Sequence, residues 1–187
     1  TLATAFVLSN LENYKAKTIP FYSPRSGPIP VKVQQDHFVL NFPTDQFTEI
    51  ELTQDLIALT DKNAIAVYKG KTDYMLVFDN QEDVETVIPN LAKIAALQAR
   101  GVMVTAKGAE AEFVSRFFAP SVGVDEDPVC GSAHTTITPF WSDKRGKKEL
   151  KAMQLSKRGG EIGCRLTGGR VELSGKAVLY LKGEIFI

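Results

Sequence analysis

Glycines divide the C-terminal third of the sequence into short segments rich in strand-forming residues. Along the whole chain, the predicted elements show no regular alternation of strand and helix, which argues against a doubly wound parallel sheet. We therefore predict an α+β fold with a largely antiparallel sheet. The predicted strands of this region are residues 150–158, 161–166, 170–173 and 177–187, separated by Gly159-Gly160, Gly168-Gly169 and Gly175.

The N-terminal two thirds combine helical and strand patterns. Residues 1–9 are good helix formers with no capping residue before them, so we expect further residues upstream of Thr1. A helical pattern covers residues 81–98, which Pro89 should kink or divide. The other predicted elements are a strand at 15–23, a turn at 24–28, a hairpin of 31–34 with 37–42, a helix at 53–60, strands at 64–69, 74–78, 102–105 and 112–118, and a helix at about 132–142.

Composition excludes several classes of protein. The sequence has 22 basic and 22 acidic residues, so it lacks the positive excess typical of proteins that bind nucleic acids or anionic membranes. No apolar run approaches the roughly 20 residues of a membrane-spanning helix, and no signal peptide opens the chain. With two cysteines only, Cys130 and Cys164, a disulfide scaffold is not expected. We predict a folded protein of the cytoplasm.

The stretch from Phe117 to His134 carries the chemistry. It is predicted to be a strand, an acidic loop and the start of a helix. The backbone N–H groups of Gly131, Ser132 and Ala133 would lie at the positive end of that helix, where they can bind a carboxylate or a phosphate. Pro128 restricts the backbone of Asp127 to extended conformations. A rigid carboxyl group beside an anion site is suited to exchange a proton with a carbon atom of the bound anion.

Several short motifs follow one another along the chain. They are Phe117-Phe118-Ala119-Pro120, Gly123, Glu126-Asp127-Pro128, Gly131-Ser132-Ala133-His134, Pro139-Phe140-Trp141, and the segment from Gln154 to Gly160. Together with residues 21–33 and the run that begins at Thr1, these motifs resemble the PhzF-like family, the phenazine biosynthesis-like isomerases with a diaminopimelate epimerase-like fold. The resemblance covers essentially the whole chain.

The resemblance implies two pseudo-symmetric domains, each a mixed, mostly antiparallel, barrel-like sheet around a central helix. It implies a biosynthetic homodimer that moves a proton on a small carboxylate substrate without metal or organic cofactor. In the family, a glutamate from the first domain moves the proton, and a histidine and the aspartate of the Glu-Asp-Pro motif assist; the resemblance implies that Asp127 is this aspartate. It also implies that Gly131, Ser132, Ala133 and His134 bind the substrate.

The family's catalytic glutamate and Gly-His pair belong to a segment before Thr1, so the first domain is expected to be incomplete here. Residues 1–43 are predicted to be the remainder of that domain, joined by a C-terminal strand near 183–187. Residues 44–182 are predicted to form the second domain. In this reading, the catalytic glutamate lies upstream of Thr1.

Two alternatives stay open at this point. Cys130 precedes a helix start, where a thiol can become an activated base, as in cysteine-dependent racemases. Those enzymes need two facing cysteines, and the surroundings of Cys164 do not resemble the partner motif. The other alternative is a non-catalytic binding protein that keeps the fold and the anion pocket. No sequence motif implies a cofactor, and the consecutive acids Asp125, Glu126 and Asp127 are poorly spaced to hold a metal ion.

Overall fold

The computed structural model describes residues 1–24 and 27–184. Within it, the chain forms two compact units. The smaller unit comprises Thr1–Asn41 and Ser174–Ile187, and the larger comprises Phe42–Leu173.

The smaller unit combines one helix with an antiparallel sheet. Helix α1 (Leu2–Asn10) is followed by strands β1 (Thr18–Ser23), β2 (Gly27–Val33) and β3 (Phe38–Pro43). Helix α1 confirms the predicted opening helix. Strand β2 pairs antiparallel with both neighbours, which confirms the predicted hairpin that ends at residue 42. Phe6 of α1 meets Phe38 of β3 edge to face, with ring centroids 6.3 Å apart. The predicted turn at 24–28 includes Arg25 and Ser26, which lie outside the described residues.

The larger unit contains eight strands and four helices, most of them where the sequence predicts them. The predicted helix at 53–60 and strand at 150–158 end earlier, at Ile57 and Gln154, and the strand at Phe47–Ile50 was not predicted. The helical pattern at 81–98 is divided into two short helices, as expected from Pro89, and Asn80 and Asn90 each cap a helix start. The elements are β4 (Phe47–Ile50), α2 (Gln54–Ile57), β5 (Ala66–Gly70), β6 (Asp73–Val77), α3 (Gln81–Thr86), α4 (Leu91–Ala96), β7 (Gly101–Lys107), β8 (Phe113–Phe118), α5 (His134–Arg145), β9 (Glu149–Gln154), β10 (Gly160–Thr167) and β11 (Arg170–Gly175).

The strands of the larger unit lie in the order β11-β10-β9-β8-β7-β6-β5-β4. The pairs β6–β7 and β8–β9 are parallel, whereas β4–β5, β5–β6, β7–β8 and β9–β10 are antiparallel. The predicted α+β class with a mixed, mostly antiparallel sheet is therefore confirmed.

Helix α5 is the centre around which this sheet is wrapped. Each of the eight strands contributes side chains to the apolar cluster that contains Ile137, Phe140 and Trp141 of the helix. The ring of Phe140 meets Tyr68 of β5 at 5.2 Å, and Trp141 stacks on Phe113 of β8 at 6.1 Å. A second apolar cluster packs α2, α3 and α4 against the opposite face of β5 to β8. The barrel-like arrangement implied by the family resemblance is thus present in this unit.

The predicted strand at 177–187 is wrong over its described part. Residues 177–184 have no strand conformation, and Val178, Tyr180 and Leu181 are 85, 97 and 78% exposed. Residues 185–187 lie outside the described residues. A strand needs a partner for its backbone hydrogen bonds, and β-prone composition does not supply one.

Candidate functional site

The acidic loop between β8 and α5 is hydrogen-bonded to the sheet at Asp127. The backbone N–H of Asp127 donates to the carbonyl oxygen of Phe117 at 3.0 Å, next to the end of β8. Two residues further on, the N–H of Val129 donates to Oδ1 of Asp127, also at 3.0 Å. The carboxylate is half-buried, and its Oδ2 has no hydrogen bond among the described residues. Asp127 is therefore held by one oxygen and can interact through the other.

The buried side-chain amide of Gln154 holds the loop in place. Gln154, at the end of β9, is 1% exposed and donates through Nε2 to the carbonyl oxygen of Asp127 at 2.6 Å. Its Oε1 accepts the backbone N–H of Cys130 at 2.8 Å. Gly160 passes so close to the loop that a Cβ there would lie 2.6 Å from Cγ2 of Val129. Sequence reasoning placed Gln154 in a family motif but assigned it no role.

The start of α5 exposes backbone donors. The helix begins at His134, slightly later than predicted, because residues 131–133 form a turn whose carbonyls accept the first helical N–H groups. Among the described residues, nothing accepts a hydrogen bond from the backbone N–H groups of Gly131 and Ser132. Such donors at the positive end of a helix suit a carboxylate.

His134 lies beneath this turn. Its side chain is fully buried and contacts the ring of Phe113, with centroids 5.8 Å apart. Nδ1 lies 2.8 Å from the carbonyl oxygen of Cys130, and since a carbonyl only accepts, Nδ1 carries the proton. Nε2 has no partner among the described residues. Burial lowers the pKa of His134 to about 4. The histidine is thus neutral near pH 7, and its role in substrate binding stays a prediction.

Both thiols are free and buried. Burial raises the pKa of Cys130, and the neighbouring Asp127 carboxylate acts in the same direction. Burial also raises the pKa of Cys164 to about 12. A neutral, enclosed thiol is a poor base, so this environment does not favour the cysteine mechanism.

Arg100, which lies outside every predicted motif, contacts the turn that precedes α5. Arg100, which immediately precedes β7, donates from Nε to Oδ1 of the buried Asp73 at 2.9 Å and from Nη2 to Oδ2. Its Nη1 donates to Oγ of Ser132 at 2.8 Å. The guanidinium carbon lies 5.0 Å from the centroid of the Phe117 ring. In the sequence, Arg100 is a single arginine just before a buried strand, and this position alone does not indicate a functional role.

Arg116 of β8 anchors the loop through Glu126. Its Nε and Nη2 donate to the two carboxylate oxygens of Glu126 at 2.7 and 3.1 Å, and Nη1 donates to the carbonyl of Val87 at 3.0 Å. Both carboxylate oxygens of Glu126 are therefore used in holding the loop against β8. Glu126 also lines a surface depression of about 520 Å³, together with Pro128, Ser156, Lys157 and Arg158.

Across residues 1–24 and 27–184, no three histidine, cysteine, aspartate or glutamate side chains come together as a metal site would require. In the same part of the chain, no helix has both the length and the apolar character needed to cross a bilayer.

Relatives in sequence cover the whole chain. Two uncharacterized isomerases of Pseudomonas aeruginosa are 43% identical over 186 residues and 37% identical over 187. These matches span 99 and 100% of this chain and 70 and 71% of the relatives. A phenazine biosynthesis-like domain-containing protein of Homo sapiens is 34% identical over 208 residues, which span 99% of this chain and 71% of the relative.

Solved structures agree with these relatives. A PhzF-family protein of Enterococcus faecalis superimposes with a TM-score of 0.94 at 36% identity, covering all of this chain and 71% of the other. A predicted epimerase of Pseudomonas aeruginosa superimposes with a TM-score of 0.67 at 14% identity, covering all of this chain and 73% of the other, which shows the fold alone. The phenazine biosynthesis-like family model matches residues 1–183. The chain therefore belongs to the PhzC-PhzF family of phenazine biosynthesis-like proteins.

Proposed function

We propose that this protein is an isomerase that moves a proton on a small carboxylate substrate without metal or organic cofactor. An isomerase-type function is supported by the two Pseudomonas aeruginosa relatives named isomerases. The proposed proton transfer on a carboxylate rests on one observation in the loop before α5. A carboxylate with one free oxygen, Asp127, lies in the same short loop as the unpaired N–H groups of Gly131 and Ser132.

The substrate carboxylate docks on these two N–H groups. They lie at the positive end of the twelve-residue helix α5, where an anion is stabilised without a cationic side chain. The same donors stabilise the negative charge that develops when a proton leaves the neighbouring carbon.

Asp127 orients an amine or hydroxyl group of the substrate, or relays the proton. The free Oδ2 is the atom available for this, because Oδ1 already accepts from Val129. In this proposal, a second acid–base group, the glutamate that the family resemblance implies, removes and returns the proton. General acid–base catalysis of this kind contributes roughly 10²–10⁴-fold to a rate.

The test is incorporation of deuterium from solvent into candidate substrates by the full natural gene product. The panel consists of small amino- and hydroxy-carboxylates with an acidic C–H bond, followed by mass spectrometry. We expect at least one compound to gain deuterium, and Asp127→Asn to slow the exchange by roughly 10²-fold or more. The matched control is Asp125→Asn in the same loop, which should exchange at the wild-type rate. Absence of exchange across the panel, or an unaffected Asp127→Asn variant, counts against the proposal.

A further inference from the structure

We infer that Arg100 is a positioning residue that makes the Ser132 hydroxyl a hydrogen-bond donor to the substrate carboxylate. This inference rests on the proposed function, because it adds a third donor to the carboxylate site formed by the N–H groups of Gly131 and Ser132. It concerns a residue that lies in none of the family motifs identified in the sequence.

The first step is that Arg100 is itself immobilised. Asp73 is 2% exposed, and both of its carboxylate oxygens accept hydrogen bonds from the guanidinium. Two parallel hydrogen bonds fix the plane of the guanidinium, and the Phe117 ring lies against it. Asp73 also balances the positive charge of Arg100, so the arginine does not act as a free cation.

The second step follows from the direction of the hydrogen bond to Ser132. An arginine has donors only, so Oγ of Ser132 must accept from Nη1 of Arg100. The hydroxyl hydrogen is thereby directed away from the guanidinium and is left to donate. Without Arg100, the same hydroxyl could rotate freely and accept or donate.

The third step concerns what receives that hydrogen. In the described structure, the nearest partner is Sγ of Cys130, at 3.3 Å from Oγ. Sulfur is a weak acceptor, so an incoming carboxylate oxygen competes with it successfully. Ser132 is exposed, which leaves its hydroxyl accessible to a ligand. The hydroxyl therefore turns from the thiol to the substrate when the site is filled.

The test measures binding of benzoate to the full natural gene product by NMR titration of the Gly131 and Ser132 amide signals. Benzamide serves as the neutral analogue. Arg100→Lys keeps a cation beside the buried Asp73 but has no second arm for Ser132. We expect this variant to bind benzoate about tenfold more weakly, the usual value of a charge-assisted hydrogen bond. Arg165→Gln, which removes another arginine–carboxylate pair at β10, is the matched control and should bind like the wild type.

The decisive comparison uses Ser132→Ala. If Arg100 acts through the serine, Arg100→Lys has no further effect on benzoate affinity in the Ser132→Ala background. An equal loss in both backgrounds, or wild-type affinity in Arg100→Lys alone, overturns the inference while the carboxylate site itself stands. If benzoate moves neither amide signal in the wild-type protein, the carboxylate site of the proposed function fails, and this inference fails with it.

Discussion

Gln154 donates its side-chain amide to the carbonyl oxygen of Asp127 at 2.6 Å, although 27 residues separate the two. The parallel pairing of β8 with β9 makes this contact possible, because it sets Ser115 opposite Gln154 and so brings the end of β9 beneath the loop that follows β8. The same amide accepts the N–H of Cys130. A single buried side chain thus holds both ends of the segment that presents the candidate catalytic carboxylate.

Replacing this amide should loosen the loop and the fold together. Gln154→Leu leaves the carbonyl of Asp127 and the N–H of Cys130 without partners, which should lower the free energy of unfolding by about 2–4 kcal/mol. Urea denaturation measures the change. Gln98→Leu, at an exposed position, should change stability by no more than about 0.5 kcal/mol. Equal stability of the two variants would show that the Gln154 contacts contribute nothing.

The Cys130 thiol should react slowly in the native protein. Burial and the adjacent carboxylate raise its pKa, so little thiolate is present at pH 7.5. We expect alkylation by iodoacetamide, followed by intact mass, to be at least about tenfold slower than after unfolding in urea. The Cys130→Ala variant should keep its deuterium-exchange activity. Rapid labelling together with an inactive Cys130→Ala variant would instead support the cysteine-dependent racemase.

His134 should make the protein less stable in mild acid. Its pKa is about 4 in the folded protein against 6.5 for an unperturbed histidine, so between these values the unfolded chain binds a proton that the folded chain does not. Stability is therefore lost as the pH falls from 6.5 to 4, by about 3 kcal/mol from this group. Urea denaturation at pH 7.0 and 4.5 measures the loss.

The histidine contribution is isolated by substitution. In His134→Asn, the amide can still donate to the Cys130 carbonyl but does not titrate, so the fall in stability between pH 7.0 and 4.5 should be smaller than in the wild type. His37→Asn, at the partly exposed histidine, should retain the full wild-type fall. An unchanged pH dependence in His134→Asn would mean that His134 is not responsible.

Arg116 should be a strong determinant of stability. Its side chain is 14% exposed and joins Glu126 of the loop to the carbonyls of Glu85 in α3 and of Val87 just after this helix. Arg116→Met removes these hydrogen bonds and leaves Glu126 without its cation, which should cost about 3 kcal/mol or more in thermal or urea unfolding. Lys107→Met, at an exposed strand end, is the control and should be nearly neutral.

Local patterns in the sequence were sufficient for most of the secondary structure. Pro89 predicted the division between α3 and α4, and the glycines at 159–160, 168–169 and 175 predicted the limits of β10 and β11. These features act within a few residues, so they can be read without knowing what packs against them. The family motifs likewise pointed to the loop from Glu126 to His134 as the candidate site, with Asp127 as its carboxylate.

The surroundings of that loop were decided by the tertiary structure. Arg100 lies 27 residues from Asp73 and 32 from Ser132 along the chain. It meets Asp73 because β6 and β7 are neighbours in the sheet, and it meets Ser132 because the turn before α5 lies beside the start of β7. Burial, which sets the pKa of His134 and Cys130, depends on the curvature of eight strands around α5. The segment at 177–184 is a further example. Its composition favours a strand, but a strand forms only where a partner strand is available. Sequence fixes local conformational preference, whereas pairing, burial and charge environment arise from residues far apart in the chain.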